Sequence, residues 1–348
     1  MSQSSVNNSP LLTSSFAPGD VTVLLEAGDV ELVSIERKEA LLRSGRSYGT
    51  LLTPESAPSA WQHDTFEAAL TRNGEQIGAL LSRLSATLLN AYPDAVYVSL
   101  ARAGTPIGCV LRRLAWRAGR DVAHYAVSII RGEGLDTQAL KIIQDKHPAS
   151  TLIFVDGWSG KGAIAATLRA SLPPGLPWTL ATVCDPAGVA DYAATYADLL
   201  LPHAALNATV SGLLSRTFTR GQGQLHGARL EEDLGLHDVS AEYVERLVEL
   251  AVSTNGFPVS AGPRPIAPAQ TAMALASELG IANPNLVKPS VGEATRVFLR
   301  RRPQHLLLRE DHPDTRHLLL LAHQRGVAVT FHPELPYLAA AIIHPGES

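Results

Sequence analysis

Two glycine-containing turns, each after an apolar segment, carry residue types that could hold phosphate groups. In the first, residues 95–100 lead into Ala-Arg-Ala-Gly-Thr (101–105) and then into a segment with helical spacing. In the second, residues 151–155 lead into Asp156, and a turn with glycines at 157, 160 and 162 opens another helix. Such turns aim backbone N–H groups and a helix N-terminus at an anion. The sequence therefore predicts two anion sites, suited to a ligand with two separated phosphates.

Charged side chains on these turns indicate the rest of the chemistry. Asp156 could bind sugar hydroxyls or a water of a magnesium ion, and Arg102 and Lys161 could bind phosphate oxygens. The second turn is not a Walker A motif, because Gly162 follows Lys161 where that motif needs Ser or Thr. An ordinary strand-to-helix turn and a solvated surface arginine are the structural alternatives.

The elements that must position these turns alternate along the chain. The spacing predicts strands at 95–100, 122–130, 151–155, 178–184 and 197–201, and helices at 65–90, 106–118, 136–146, 162–171 and 241–252. This alternation predicts an α/β fold with a parallel sheet, helices on both faces and ligands at the carboxyl ends of the strands. A Pro- and Gly-rich linker is predicted at 257–284, between a first domain at 1–256 and a small α/β domain at 285–348.

Composition limits the class of protein. Apolar residues make up 45% and charged residues 18% of the 348, as in soluble globular proteins, and the net charge of −4 gives no general attraction to nucleic acid or membranes. Without an 18-residue apolar run or a secretory signal, the chain is expected in the cytoplasm, with a short disordered N-terminal tail. Cys109 and Cys184 are the only cysteines, and both are predicted to be buried small apolar residues rather than nucleophiles.

Several phrases of the sequence resemble known proteins. Residues 99–104 resemble the pyrophosphate loop of type I phosphoribosyltransferases, and 152–157 resemble their strand and loop for 5-phosphoribosyl pyrophosphate (PRPP). The whole chain resembles a bacterial family of phosphoribosyltransferase-like proteins from tellurium-resistance and stress gene clusters, also labelled the cysteine protease StiP family. The shared phrases lie at 100–108, 124–131, 155–162, 185–188, 209–217, 226–228 and 292–296.

This resemblance implies a type I phosphoribosyltransferase fold and a phosphoribosyltransferase activity. The enzyme would bind PRPP with Mg²⁺, or a ribose 5-phosphate, and make or break an N-glycosidic bond in the synthesis of a nucleoside-like metabolite linked to stress or tellurite resistance. Mg²⁺ would come with PRPP, without direct protein ligands. The family pattern has two adjacent acids, and Gly157 stands in the second position. A non-catalytic nucleotide-sensing or RNA-binding module therefore stays open, as does, less favoured, a cysteine protease.

The resemblance also assigns residues to roles. The catalytic set is Asp156, Arg102 and Arg131. The phosphate-binding set is Ala101, Ala103, Gly104, Thr105, Gly157, Trp158, Ser159, Gly160, Lys161 and Gly162. The substrate set is His124, Tyr125, Ser211, Ser215, Arg216 and His226. For His124, a packing role is the alternative to closing over pyrophosphate.

The small C-terminal unit resembles the pelota-type RNA-binding domain. Its helix start matches at Glu293 and Arg296, although Gly292 stands where that pattern has Asn. RNA contacts are thereby implied for Glu293, Arg296, Arg300, Arg301 and Arg302. A solvated helix end and a plain module for homodimer formation are the alternatives.

Overall fold

The chain is described by a computed structural model over residues 11–28, 30–34, 37, 41, 44, 48–221 and 223–344. The predicted N-terminal tail lies largely outside these residues. The strands are β1 (Thr22–Val23), β2 (Glu26–Ala27), β3 (Glu31–Leu32), β4 (Leu51–Leu52), β5 (Ala95–Ala101), β6 (His124–Ile130), β7 (Gly134–Leu135), β8 (Thr151–Trp158), β9 (Trp178–Cys184), β10 (Tyr192–Thr195), β11 (Gly227–Ala228), β12 (Val287–Pro289), β13 (Pro303–Leu308), β14 (Ala328–Phe331) and β15 (Ala339–Ile343).

The helices alternate with these strands, as the hydrophobic spacing predicts. They are α1 (Ala60–Ala91), α2 (Gly104–Arg117), α3 (Thr137–Lys146), α4 (Ala163–Ser171), α5 (Ser240–Ser253), α6 (Pro268–Glu278), α7 (Val291–Arg300) and α8 (Arg316–Gln324). Short 3-10 turns lie at Tyr48–Thr50, Pro202–Ala204, Ala208–Val210, Glu232–His237 and Pro313–Thr315. No helix in the described ranges is long and apolar enough to cross a bilayer.

The central sheet is parallel and has the strand order β1-β6-β5-β8-β9-β10, with β7 added antiparallel to β6. Apolar side chains of its strands are buried on both faces, against α1, α2 and α5 on one side and α3 and α4 on the other. The predicted α/β class with a doubly covered parallel sheet is confirmed. The chain moves from β5 to β6 on one side and then to β8 on the other. Such a reversal opens a crevice at the carboxyl ends of β5 and β8, where open α/β sheets bind ligands.

Two predicted strand boundaries differ from the structure. The last strand of the sheet is Tyr192–Thr195, and no strand lies at 197–201. Strand β8 does not end at Val155 but continues to Trp158, because Asp156 and Trp158 pair in register with Thr182 and Cys184 of β9. Pairing with a neighbouring strand decides where a strand ends, and the preferences of individual residues for strand carry no information about that pairing.

The C-terminal unit has its own four-stranded sheet, in the order β12-β15-β13-β14. Helix α6 lies within the range predicted as a linker, and its Ala272, Leu275 and Ala276 are buried. One continuous apolar cluster runs from Phe66 of α1 through these side chains to Ile342 of β15. The two units therefore share a core, although residues 257–267 between them are irregular and largely exposed.

Two buried carboxylates reinforce this junction. Asp314 accepts hydrogen bonds from Arg72 at 2.8 Å, from Asn73 at 2.9 Å and from the Leu200 N–H at 2.9 Å. In the opposite sense, Asp198 of the first unit accepts the N–H groups of Val291 and Leu338, at 2.9 and 2.8 Å. Because buried carboxylates are stable only when hydrogen-bonded, these contacts define one relative position of the units.

Candidate functional site

The two predicted anion loops touch each other at the crevice of the sheet. A side-chain carbon on Gly104 would lie 2.0 Å from the carbonyl oxygen of Val155, so only glycine allows the loop after β5 to approach β8 this closely. The peptide bond between Ala101 and Arg102, in the same loop, is cis. The structure thus brings together the residues of 101–105 and 156–162 that the sequence assigned to one ligand.

The helices that follow the two loops begin without a side-chain cap from any described residue. The cap position of α4 is Gly162, at φ 82°, and that of α2 is Ala103. The first N–H groups of a helix carry partial positive charge and need an acceptor, which a phosphate oxygen can supply. Ser159 takes a different part, because its hydroxyl donates to Asp185 at 2.5 Å and fixes the neighbouring turn.

Asp156 lies two residues before the end of β8. Its Oδ1 accepts a hydrogen bond from the Gly157 N–H at 2.8 Å. Burial raises the pKa of Asp156 to about 7, against the opposing effects of that N–H and of the Arg296 charge. The carboxyl group therefore changes charge near neutral pH, as acid–base and ligand-binding groups often do.

Arg102 extends from the first loop but already has a carboxylate partner. Its Nη1 donates to Glu55 and to the Leu214 carbonyl, both at 2.8 Å, while Nη2 is buried without a partner among the described residues. Burial by itself would raise the pKa of Glu55, but the charges of Arg102 and Arg300 and the hydrogen bond lower it. Glu55 was not predicted, since a lone acid in a Pro- and Ser-rich segment gives no signal of this contact.

Lys161 and Arg131 are bound to the segment that precedes β12. The Lys161 ammonium donates to the Pro284 carbonyl, and Arg131 Nη2 donates to Asn285 Oδ1 at 2.5 Å. Burial lowers the pKa of Lys161 to about 8, and the nearby charges of Lys288 and Arg131 lower it further. The loop cation thus meets a backbone carbonyl in this structure, and its predicted phosphate contact would require it to leave that carbonyl.

His124 and Tyr125 begin β6, at the edge of the sheet opposite the crevice. His124 Nε2 lies 2.7 Å from Ser99 Oγ, and its Nδ1 lies 2.7 Å from the Asp20 carbonyl. Burial lowers the His124 pKa to about 4, so the ring is neutral and packs beneath the first loop. Tyr125 instead bonds to His147, 2.9 Å away. The two hydrogen-bond contacts of the His124 ring agree with the packing alternative for this residue.

The fold places the remaining predicted substrate residues at different positions rather than in one site. Ser211 lines a narrow cleft between the units, and the charge of Arg216 acts on Glu55 close by. Ser215 is buried and bonds to backbone groups of Arg216 and Arg229. The ring of His226 lies 2.8 Å from Oγ of Ser128, a residue of β6 that pairs in register with Ala101 of the first loop.

The helix predicted to bind RNA instead covers the second loop. A side-chain carbon on Gly292 would lie 2.7 Å from the Trp158 ring, and one on Gly160 would lie 2.9 Å from Glu293. Arg296 stacks on Trp158, with its guanidinium carbon 4.3 Å from the ring centre. Gly292 thus permits a contact that Asn in its place would obstruct.

The arginines at the end of this helix divide between the inside and the surface. Arg300 donates to Asn207 Oδ1 at 2.7 Å in the first unit, whereas Arg301 is partly exposed and Arg302 is exposed. RNA contacts through Arg296 and Arg300 would require these inward-facing side chains to turn outward. The RNA contacts predicted for Arg301 and Arg302 are compatible with the position of these side chains at the surface.

Several buried polar atoms around the loops lack a hydrogen-bond partner within the described ranges. They are Arg102 Nη2, Thr105 Oγ1, Trp158 Nε1 and Arg296 Nε. His203 was not predicted; its Nδ1 bonds to Tyr243, and burial lowers its pKa to about 3. Since buried polar groups are almost always satisfied, this concentration indicates a place for a polar ligand.

Neither cysteine has the surroundings of a nucleophile. Cys109 and Cys184 are both fully enclosed, at 0% and 1% exposure. Burial raises the pKa of both thiols well above the usual value. A thiol with these properties carries almost no thiolate at neutral pH and is inaccessible to a substrate.

Comparisons with known proteins match nearly the whole chain. A family described as "Tellurite-like stress resistance cysteine protease StiP" matches residues 14–248, and the "PELOTA RNA binding domain" matches residues 266–345. A relative from Acinetobacter baylyi (strain ATCC 33305 / BD413 / ADP1), named "Cysteine protease StiP", is 34% identical over 342 residues, covering 91% of this chain and 88% of its own.

Solved structures match only loosely. A purine phosphoribosyltransferase from Pyrococcus horikoshii Ot3 matches with a TM-score of 0.24 and 16% identity, over 34% of this chain and 80% of its own. A hypothetical protein from Neisseria gonorrhoeae with bound ppGpp matches with a TM-score of 0.25 and 14% identity, over 50% of this chain and 91% of its own. At these scores neither match bears on the function of this chain.

Proposed function

The chain belongs to the tellurite-like stress-resistance StiP family, and we propose that it is an enzyme that binds PRPP, or a related ribose 5-phosphate, and makes or breaks an N-glycosidic bond. One observation carries the proposal. Two uncapped helix starts and their loops meet at the carboxyl ends of adjacent parallel strands, around buried polar atoms without partners in the described part of the chain. A ligand with a phosphate at each end would satisfy both loops.

Each loop then has a distinct part. The N–H groups at the start of α4 receive the 5-phosphate, and those of Ala103 and Gly104, with Arg102 Nη2, receive the pyrophosphate. Asp156 lies between them and accepts hydrogen bonds from the ribose hydroxyls. Catalysis in this arrangement consists of holding the reacting centre in place and stabilising the charge that develops on the leaving pyrophosphate.

The residues at the loops fit a magnesium ion that the ligand carries. The described residues contain no group of three or more His, Cys, Asp or Glu side chains that could hold a metal. Asp156 offers a single carboxylate, which suits contact with a metal-bound water rather than a protein-built metal site. When bound, Mg²⁺ would neutralise pyrophosphate charge, and Asp156 and Arg102 would orient the complex.

A calorimetric titration of the full chain with PRPP and Mg²⁺ tests binding. A following screen of nucleobases for pyrophosphate release tests turnover. Saturable binding that Asp156→Asn weakens, together with base-dependent pyrophosphate release, supports the proposal. Absence of PRPP and ribose 5-phosphate binding by the folded protein would exclude it.

The name of the relative supplies a second candidate, cleavage of peptides by a cysteine. It requires an accessible thiolate, and this chain has only the enclosed Cys109 and Cys184. RNA binding is a third candidate, favoured by the match to the pelota domain and by the accessible Arg301 and Arg302. Neither candidate uses the two phosphate loops, so neither accounts for their arrangement.

A further inference from the structure

The cleft between the two units gathers three arginines from distant parts of the sequence. Arg102 belongs to the loop after β5, whereas Arg296 and Arg300 come from α7. A separation of four residues places the latter two on one face of that helix. The rest of the polar lining consists of His203, Asn207 and Ser211.

Positive charge in this cleft is only partly balanced. Among the residues that the structure describes, Arg102 is the one of the three that forms an ion pair, with Glu55 at 2.8 Å. Arg300 donates to the neutral amide of Asn207, and Arg296 lies on the face of the Trp158 ring. Burial lowers the pKa of Arg296 and of Arg300, and the charge of Arg102 lowers both further. The charges of Glu293 and Glu55 oppose this effect for Arg296, and that of Glu55 opposes it for Arg300. An anion between them would relieve both costs.

The unsatisfied atoms specify the chemistry of that anion. Arg102 Nη2 and Arg296 Nε are buried and have no hydrogen-bond partner in the described ranges. Guanidinium nitrogens only donate. The complementary ligand group must therefore present several acceptor oxygens and negative charge, as phosphate groups do.

We propose that the C-terminal unit supplies half of a pyrophosphate subsite, in which Arg296 and Arg300 bind phosphate oxygens opposite Arg102. The proposal rests on the PRPP-binding function above and deepens it. The cavity in the cleft has a volume of about 10 Å³, enough for a single water molecule. The arginine side chains must therefore move apart before a phosphate can bind between them. The pelota-like unit then forms a wall of the active site rather than an independent RNA-binding arm.

Calorimetric titration with Mg²⁺–PRPP, and separately with inorganic pyrophosphate and Mg²⁺, tests this in the full chain. We expect Arg296→Gln and Arg300→Gln to weaken binding of both ligands roughly tenfold to a hundredfold, since each loses a charge-assisted hydrogen bond. Arg316→Gln is the matched control, because Arg316 is an exposed arginine of the same unit, and it should bind as the wild type does. Arg296→Lys keeps the charge but not the planar fork, and should give an intermediate loss.

The outcomes separate this inference from the function on which it rests. If the wild type binds PRPP and both Gln variants bind it as tightly as Arg316→Gln does, the subsite is wrong while the function stands. If the wild type binds neither PRPP nor pyrophosphate, both are wrong.

Should Arg296→Gln unfold because its contact with Trp158 is lost, Arg300→Gln and Arg296→Lys decide the result. Wild-type affinity in these two would overturn the proposal, and weakened affinity at an unchanged melting temperature would support it.

Discussion

Arg296 of α7 lies over the indole ring of Trp158, with 4.3 Å between the guanidinium carbon and the ring centre, and thereby joins the C-terminal unit to the end of β8. Trp158 is buried, and Gly292 one turn earlier in the helix allows the close approach. A desolvated cation–π contact is worth on the order of 2 kcal/mol. The helix start that matches the RNA-binding pattern is therefore packed against the second glycine-containing loop.

Cleavage of the chain in the irregular segment between the units should not separate them. A protease site inserted between Gly262 and Pro263 would break the backbone where residues are mostly exposed. We expect both fragments to elute together in size-exclusion chromatography, because the apolar core and the contacts of Asp198 and Asp314 are retained. Expression of residues 1–262 alone should instead give an unfolded or aggregated product. A stable, monomeric 1–262 fragment would show that the shared core is dispensable.

Loss of the Asp314 carboxylate should destabilise the whole protein. In Asp314→Ala, Asn73 and the Leu200 N–H lose a buried acceptor, while Arg72 is partly exposed and can be hydrated. We expect the free energy of unfolding in urea to fall by about 1–3 kcal/mol. The exposed neighbour Asp311→Ala is the control and should change it by less than about 0.5 kcal/mol. Equal effects of the two substitutions would contradict the assigned role.

Asp156→Asn should weaken PRPP binding about tenfold to a hundredfold and remove a pH dependence. With the folded pKa at about 7, the wild-type carboxylate forms as pH rises through that value, so affinity should increase from pH 6 to 8 only in the wild type.

The effect of Asp156 on the free energy of unfolding has the opposite dependence on pH. A raised folded pKa gives a contribution that is present below the unfolded pKa and is lost as pH rises through about 7. The stability of Asp156→Asn relative to the wild type, measured by urea unfolding, should therefore be greater at pH 8 than at a pH below the unfolded pKa. The same relative stability at both pH values would contradict the raised pKa.

Both cysteines should be protected from alkylation in the native protein. Iodoacetamide should label Cys109 and Cys184 only after denaturant is added, since each thiol is enclosed and poorly ionised. A double substitution by Ala should keep PRPP binding and cost some stability through lost packing. Rapid labelling of either thiol at pH 7, or loss of a measured activity in a cooperatively folding double variant, would restore the cysteine-protease interpretation.

Any RNA binding should depend on Arg301 and Arg302 more than on Arg300. We expect the double variant Arg301→Ala, Arg302→Ala to flatten the dependence of RNA affinity on salt concentration, because it removes two cations from the accessible helix end. Arg300→Ala, which loses the contact with Asn207, should lower thermal stability and leave the salt slope unchanged. Filter binding over a range of salt concentrations measures the slope; a larger slope change for Arg300→Ala would show that α7 turns outward to bind RNA.

The sequence by itself determined the alternation of strands and helices, the two glycine-containing loops and the burial of both cysteines. These features follow from local composition, since apolar periodicity and glycine spacing act over a few residues.

The end of β8 at Trp158 was decided by pairing with β9. The pairing of Arg102 with Glu55, and the contact of Arg296 with Trp158, were decided only by tertiary structure. Arg72 and Asp314 lie 242 positions apart, and no periodic pattern encodes such a contact. An exposed Pro/Gly segment predicts a flexible connection, whereas the burial of α6 and the shared core keep the two units together.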